Sequence, residues 1–535
     1  MERRKLARAS TWVLIACCVY FLGLGLVLIP HVGVYEDEAL FARGIYWPDR
    51  IAASKQVASH WIPLMLMSYV GALKCWLYAP WLALTGPSLW TLRLPVLLCG
   101  VLTIIAFAWL VDRLLNRRAA VVGAALLATH PPFLFTTVFD WGPVALQQLL
   151  FVSGSAFLVK YVKERRVAFL GLSGLLFGLG LWDKALFVWN LSGLVVASLI
   201  LYGRQLRTWL NLKAVLVALV GLLVGAAPLV KYAVSTQGQT FLQPKHSFRD
   251  LRDKWVVFRA TLEGTVMQGF MVPPAGAPSQ SVVWQALDGL VRHLQRVPGT
   301  AFGWLLVLAP LAAWAQRQSE RARLATLMLL GFAISWLQML ATEQAGGSAH
   351  HTILLWPWLV GLVVCGVVSM RTTVGRFAMG ALVTLALSTQ VAGGLVQTMR
   401  ILHYGPIPPW DDATIRLAEI LRRSPPSHLY VADWGMENAL CFLLAGNISI
   451  ENAVTHYETR EPDVAERERI LERLRQPGAL VVAHVPQRAV FPWLIQVVDR
   501  TASEANLERH VVALVSDHQG RPAIEILRYL PRQPL

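Results

Sequence analysis

The stretch TWVLIACCVYFLGLGLVLIP, residues 11–30, runs into HVGVYEDEALFAR, residues 31–43. As a helix, about 20 apolar residues rise roughly 30 Å, the thickness of a bilayer's hydrocarbon core. The run is too long for a signal-peptide core and lacks a clear small-residue cleavage site, so it reads as a retained membrane span. Glu36, Asp37 and Glu38 follow within a few residues of its end. Carboxylates are costly beside apolar surroundings and invite a chemical explanation. Adjacent acids also repel, which raises one pKa toward the range of a general base. The competing reading is a helix start, where acids favour the dipole.

The rest of the chain extends this pattern. Of 535 residues, 55% are hydrophobic and only 15% charged, against about a quarter charged in soluble domains. Further apolar runs fall at 94–115, 119–139, 142–162, 167–183, 185–202, 213–232, 300–316, 323–341, 352–370 and 375–396. The expected fold class is a polytopic α-helical membrane protein with about eleven transmembrane helices. A net charge of +16 raises nucleic acid as a partner, but the distribution argues against it. Basic groups such as Arg113, Arg117 and Arg118, or Lys160, Lys163, Arg165 and Arg166, fill alternate gaps between spans. That is the positive-inside pattern, with membrane lipid headgroups as the anionic contacts. It predicts the amino terminus in the cytoplasm and the carboxyl terminus outside. Of six cysteines, Cys75 and Cys441 share the outer side, where a disulfide is compatible with both.

Residues 1–400 are therefore expected to form a transmembrane catalytic domain with outer-face loops at 31–93 and 233–298. The first loop carries Tyr69, Trp76, Tyr78 and Trp81, rings that suit helices lying along the headgroup level. Past residue 400 the composition changes. Strand patterns at Leu429–Ala432, Ala479–Ala483 and Ile524–Leu527, with helical patterns at Asp412–Arg423 and Glu461–Arg475, predict an extracytoplasmic α/β domain over 401–535.

The chemistry-bearing residues sit at the predicted outer ends of spans. Asp140 closes the third run and reads either as a reaction-centre acid or as the cap of the next helix. Lys184, flanked by apolar residues, reads as a phosphate-neutralising cation, or as a group paired with Asp183 or reaching the headgroups. His350 and His351 precede the tenth run; adjacent on a helix, they point in different directions and do not suit joint metal chelation, and they read either as a hydrogen-bond donor to a phosphate or as a plain polar pair at a span end. Arg93 and Lys74 are further cations. Asp37 and Asp140 are the acids a divalent ion would use. No phosphate-binding glycine loop, zinc spacing or serine-nucleophile motif occurs, and the sequence requires no cofactor. In the outer domain, Asp433, Trp434 and Glu437 near a strand end are the binding candidates, with ordinary loop residues as the alternative.

These residues resemble a known group. Asp37-Glu38 after the first span is similar to the Asp-Glu motif of GT-C glycosyltransferases, in the branch of protein O-mannosyltransferases, lipid A aminoarabinose transferases and family 39 relatives. Tyr69-Val70-Gly71-Ala72-Leu73-Lys74 resembles the branch's surface-helix segment, and Gly86–Pro95 the approach to its second span. Asp140 stands where the branch has a second acid, and Lys184 matches a lysine after the fifth span. The branch often carries an arginine-tyrosine pair before a late proline-containing span; here His350-His351 precede Trp356-Pro357. The resemblance implies an inverting glycosyltransferase that moves a sugar from a polyprenyl-phosphate donor to an extracytoplasmic lipid, glycan or protein. Asp37, Glu38 and Asp140 would be its catalytic acids. Lys184, Arg93, His350 and His351 would hold the donor phosphate, and Glu36, Tyr69 and Lys74 the acceptor. The alternatives are a transporter or flippase of a lipid-linked substrate, and a non-catalytic assembly protein. Charges at span ends rather than mid-span disfavour transport.

Overall fold

A computed structural model describes residues 2–242, 247–274, 282–283, 285–286, 289–290, 293, 298–316, 319–343 and 345–532. Parts of the expected 233–298 loop lie outside these. The chain packs as two units, Met1–Ile29, Leu64–Lys74 and Arg93–Arg400 in the first, and Pro30–Pro63, Cys75–Leu92 and Ile401–Leu535 in the second.

In the first unit, eight helices among the described residues are long and apolar enough to cross a membrane. They include Ala9–His31, Leu89–Leu114, Ala145–Glu164, Leu212–Ser235 and Ala349–Val367. Val167–Asp183 and Ala301–Trp314 are shorter apolar helices at positions of expected spans. The expected third span is broken: Arg117–Ala128 and Pro131–Val138 meet at 63°. Pro131 supplies the reason, because a proline pushes the preceding residue out of the helical region. His130 is extended, at φ −72° and ψ 114°. Polar groups freed at such a break need partners inside a membrane. Thr129 donates to the Ala125 carbonyl and to Gln390 Oε1, both at 2.8 Å, and His130 Nε2 meets the Thr261 carbonyl at 2.9 Å.

Small residues set the packing of Val167–Asp183 on Leu212–Ser235. Methyl groups added at Gly174, Gly178 and Gly225 would come within 2.2–2.4 Å of backbone carbonyl oxygens on the facing helix. Membrane helices gain van der Waals contact by such close approach, since lipid offers no hydrophobic drive between them. Elsewhere a polar ladder ties helices together: Trp358 Nε1 donates to Asn190 Oδ1 at 3.0 Å, and Asn190 Nδ2 to the Leu354 carbonyl. From the second long loop, the Leu251–Leu262 helix sends Lys254 Nζ to the carbonyls of Met339, Leu340 and Thr342. A cation there completes the orphan carbonyls at the end of Glu320–Ala341.

The second unit centres on a five-stranded sheet. Its strands are β3 His428–Val431, β4 Ile450–Asn452, β5 Ala479–His484, β6 Leu507–Ser516 and β7 Pro522–Pro531, in the order β4-β3-β5-β7-β6. β3 runs parallel to β4 and β5, while β7 is antiparallel to β5 and β6. The expected strands and helices form, with Ala413–Arg423 and Val464–Arg475 as the two helices. Tyr430, Val481, Ile470, Val498 and Leu527 make the core.

The first loop differs from expectation in two ways. Residues 30–63 and 75–92 pack with 401–535 rather than with the spans. Residues 53–65 form a hairpin, β1 Ala53–Val57 and β2 His60–Met65, an element the sequence reading did not include. Ser59–Met65 lacks helical periodicity, and Ala58 takes a left-handed turn at φ 53°. A surface helix does follow at Leu73–Thr85, with Trp76, Leu77 and Leu84 exposed. All six cysteines are free thiols, so the Cys75–Cys441 disulfide does not form; Cys75 Sγ instead donates to the Phe41 carbonyl at 3.2 Å.

Candidate active site

Asp140 anchors the polar centre of the first unit. It follows the Pro131–Val138 helix with φ 38°, and its Oδ1 accepts the amides of Val144 and Ala145, both at 3.0 Å. It is thus the cap that starts Ala145–Glu164, satisfying two of that helix's orphan donors. Its other oxygen takes Lys74 Nζ at 2.7 Å, the two side chains being 3% and 5% exposed. An ammonium at that distance makes Asp140 a poor ligand for a second cation, so a metal held there does not fit. Among the described residues no group of three or more His, Cys, Asp and Glu side chains is arranged to hold an ion.

Lys184 is the second buried cation. It ends the Val167–Asp183 helix in extended conformation, and its Nζ donates to the Gly142 carbonyl at 2.7 Å. The segment Tyr69–Lys74 is laced to it: the Ala185 amide donates to the Tyr69 carbonyl at 2.9 Å, and the Gly71 amide to the Asp183 carbonyl at 3.0 Å. Tyr69 contributes backbone here and leaves part of its ring exposed. Asp183 does not serve as the simple partner of Lys184, for its Oδ2 takes Gln147 Nε2 at 2.8 Å.

Gly142 joins this cation to the histidines. A methyl group at Gly142 would lie 2.3 Å from His350 Cδ2, and its φ of 66° is one that glycine adopts without strain. The His350 ring centroid stands 5.1 Å from Trp141 and 4.1 Å from His351, whose own ring faces Trp189 edge-on. Among the described residues, both Nδ1 atoms are buried without a hydrogen-bond partner, as is Gln147 Oε1. A neutral imidazole offers Nδ1 as donor or acceptor according to its tautomer. The histidine pair and the Lys184 ammonium therefore meet around Gly142.

Arg93 is fully buried, donates from Nη1 to the Ile29 carbonyl at 2.8 Å, and covers the Phe139 ring at 4.6 Å. It thus touches the end of the first span and, through Phe139, the residue just before Asp140.

The acidic cluster belongs to the second unit, as the first helical turn of Glu36–Ala39. Glu38 Oε1 accepts the Tyr35 amide at 2.9 Å, the reciprocal half of a capping box. Glu36 is buried and accepts the Asn438 amide on both oxygens, at 3.1 and 3.0 Å. Burial, reinforced by the nearby Glu437 charge, pushes its pKa up to about 8. The raised acid expected in this cluster is thus Glu36. Asp37 is half-buried. Tyr35 stacks on Trp410 at 3.8 Å and meets Trp434 edge-on. Glu437 lies 3.6 Å from Arg43. Asp433 is fully employed in holding its loop, accepting the amides of Trp434, Val490 and Phe491 and meeting His484 Nδ1 at 2.7 Å.

Gln147 and Gly142 carry no prior assignment from the sequence, and Asp183 entered only as the alternative partner of Lys184, though the polar pair Gln147-Gln148 inside an apolar run is a signal of buried function.

Comparison with known proteins agrees with this architecture. Residues 71–232 match the family model of dolichyl-phosphate-mannose-protein mannosyltransferases. The structure is similar to ArnT from Cupriavidus metallidurans bound to undecaprenyl phosphate, at 15% identity and TM-score 0.55, covering 97% of this chain and 98% of that one. It is also similar to the Archaeoglobus fulgidus oligosaccharyltransferase in complex with Zn and sulfate, at 13% identity and TM-score 0.53, over 89% and 68% of the two chains. A further likeness, at 12% identity and TM-score 0.50, is to AglB from the same organism with an inhibitory peptide and a dolichol-phosphate, over 98% and 75%. No curated protein matches by sequence. The fold is that of the GT-C membrane glycosyltransferases, so the resemblance to that group is borne out at the level of the fold.

Proposed function

We propose that this chain is an inverting glycosyltransferase that takes a sugar from a polyprenyl-phosphate donor and passes it to an extracytoplasmic lipid, glycan or protein. The observation that carries this reading is the cluster in which Lys184 and His350 meet at Gly142, with the unpartnered Nδ1 atoms of His350 and His351 beside them. Cationic and N–H donors held rigidly in a dry site suit an oxyanion that gains charge as the glycosidic bond breaks. Lys184 neutralises the departing lipid phosphate, and the two imidazoles donate to its oxygens. Arg93 contributes positive potential from the start of the Leu89–Leu114 helix. The Lys74–Asp140 pair fixes the loop that presents Gly142, a positioning role rather than direct acceptor binding or proton transfer.

On the second unit, Asp37 is assigned to the acceptor. It orients or deprotonates the attacking hydroxyl or amine, whose attack in line on the anomeric carbon inverts it. Glu38 shapes the turn that carries Asp37, and Glu36 stays largely protonated at neutral pH and donates to or positions the acceptor. The residues present derive no step through a metal.

The test is a steady-state assay with purified protein in lipid and radiolabelled polyprenyl-phosphate sugars. Lys184→Met is expected to lower turnover by about 10²–10³, the usual loss of one oxyanion donor. Full turnover in that variant would remove Lys184 from the site.

A further inference from the structure

The same helices that carry the polar centre at one end enclose a second feature at the other. From Arg93 to Arg113 the Leu89–Leu114 helix climbs about 30 Å, one hydrocarbon thickness. Ala145–Glu164 likewise begins at the Asp140 cap and brings Lys163 to its last turn. Between these far ends lies a cavity of about 420 Å³, within the range of roughly 300–1,000 Å³ typical of ligand pockets. Phe151, Leu194, Leu327 and Trp358 are among its apolar walls, and Arg113 and Lys163 are its basic residues. Glu320, the one acid that lines it, is taken up by Arg323 at 2.9 Å. Lys163 donates to the Arg113 carbonyl, which holds the two cations together. The Arg113 guanidinium lies over the Trp109 ring at 5.1 Å and has a long contact of 3.9 Å to the partly exposed Glu164, which leaves its charge without a close carboxylate among the described residues. Ser155 also lines the cavity, and its buried hydroxyl has no hydrogen-bond partner among the described residues. In an apolar membrane interior such a group is costly unless an occupant supplies an oxygen.

We propose that this cavity is a second lipid site, in the leaflet opposite the Lys184 centre, and that it takes an acyl chain of an anionic glycerophospholipid. The phosphate rests on Arg113 and Lys163, the chain fills the apolar walls, and an ester oxygen answers Ser155. Charge complementarity selects the occupant: basic pockets between membrane helices on the positive-inside face favour anionic headgroups. The site is distinct from the donor-phosphate site and does not depend on the proposed transfer reaction.

The experiment uses full-length protein in nanodiscs of equal palmitoyl-oleoyl phosphatidylglycerol and phosphatidylcholine, with lipid retention read by native mass spectrometry. Wild-type protein is expected to retain phosphatidylglycerol selectively. Arg113→Gln/Lys163→Gln should bind it about thirtyfold more weakly, equivalent to ~2 kcal/mol at ~1 kcal/mol per basic residue. Ser155→Phe, which fills the cavity and keeps both cations, should also lose retention, so a folding failure of the first variant does not remove the test. Equal retention of the two phospholipids, or retention unchanged in both variants, would overturn the proposal. So would displacement of phosphatidylglycerol by equimolar undecaprenyl phosphate, which would assign the cavity to the carrier lipid instead.

Discussion

Breaking the Lys74–Asp140 pair gives a sharply defined energetic expectation. The ion pair spans 2.7 Å between side chains 5% and 3% exposed, so solvent screens it little. Lys74→Met removes one charge-assisted hydrogen bond, about 1.5–3 kcal/mol, and leaves the Asp140 carboxylate buried with only its two amide donors. Loss of one partner of a buried pair costs about 3–5 kcal/mol in total. Asp140→Asn keeps an oxygen for the Val144 and Ala145 amides, so these amides stay satisfied, but it removes the carboxylate charge that faces the buried Lys74 ammonium. The double variant buries no charge. Its loss should fall short of the sum of the singles by about 2 kcal/mol or more, within the coupling range of contacting residues. Equilibrium unfolding in mixed micelles, carried around the full cycle, measures this. Losses that add to within about 0.5 kcal/mol would refute the pairing as the reason both residues are buried.

Other expectations follow from the same geometry. Gly142→Ala should cost about 1 kcal/mol for the left-handed backbone and displace the His350 ring, which a methyl group would approach to 2.3 Å. A site displaced by about 1 Å typically loses about 10²-fold in turnover, so unchanged kcat would contradict the proximity of Gly142 to the chemistry. Glu36 sets a pH dependence. Its folded pKa, about 8, lies above the ordinary 4.5, so the folded state holds the proton more tightly than the unfolded chain does. Stability is greatest below about 4.5, falls as pH rises through the window from 4.5 to 8, and levels off above it. The ceiling is roughly 5 kcal/mol at 1.36 kcal/mol per pH unit. Glu36→Gln should flatten this profile in unfolding experiments across that window; a profile identical to wild type would show that Glu36 is not the group responsible.

Much of the architecture was legible because membrane spans announce themselves by length and apolarity, and the strands at 428–431 and 479–484 by continuous runs of buried residues. The break at His130 was visible as Pro131-Pro132, yet an apolar run conceals a bend, since hydropathy does not register direction. The grouping of residues 30–63 with the carboxyl-terminal region depends on contacts hundreds of residues apart in sequence, such as Arg50 with Ser449. Among site residues, Lys184 and the two histidines were legible as polar groups at apolar span ends. That Lys184 turns to Gly142 and Asp183 to Gln147 was not, because helix-end rotamers are decided by neighbours from other helices. Asp140 carried both readings in the sequence, and its two amide bonds make the capping role concrete.

The most direct test of the proposed transfer is release of free polyprenyl phosphate from polyprenyl-phosphate sugars by purified protein in lipid, compared between wild type and Asp37→Ala. Release by the wild type that collapses in Asp37→Ala is the expected result, tying donor cleavage to the acidic cluster. Absence of release with every donor and acceptor, or equal release by the variant, would contradict it.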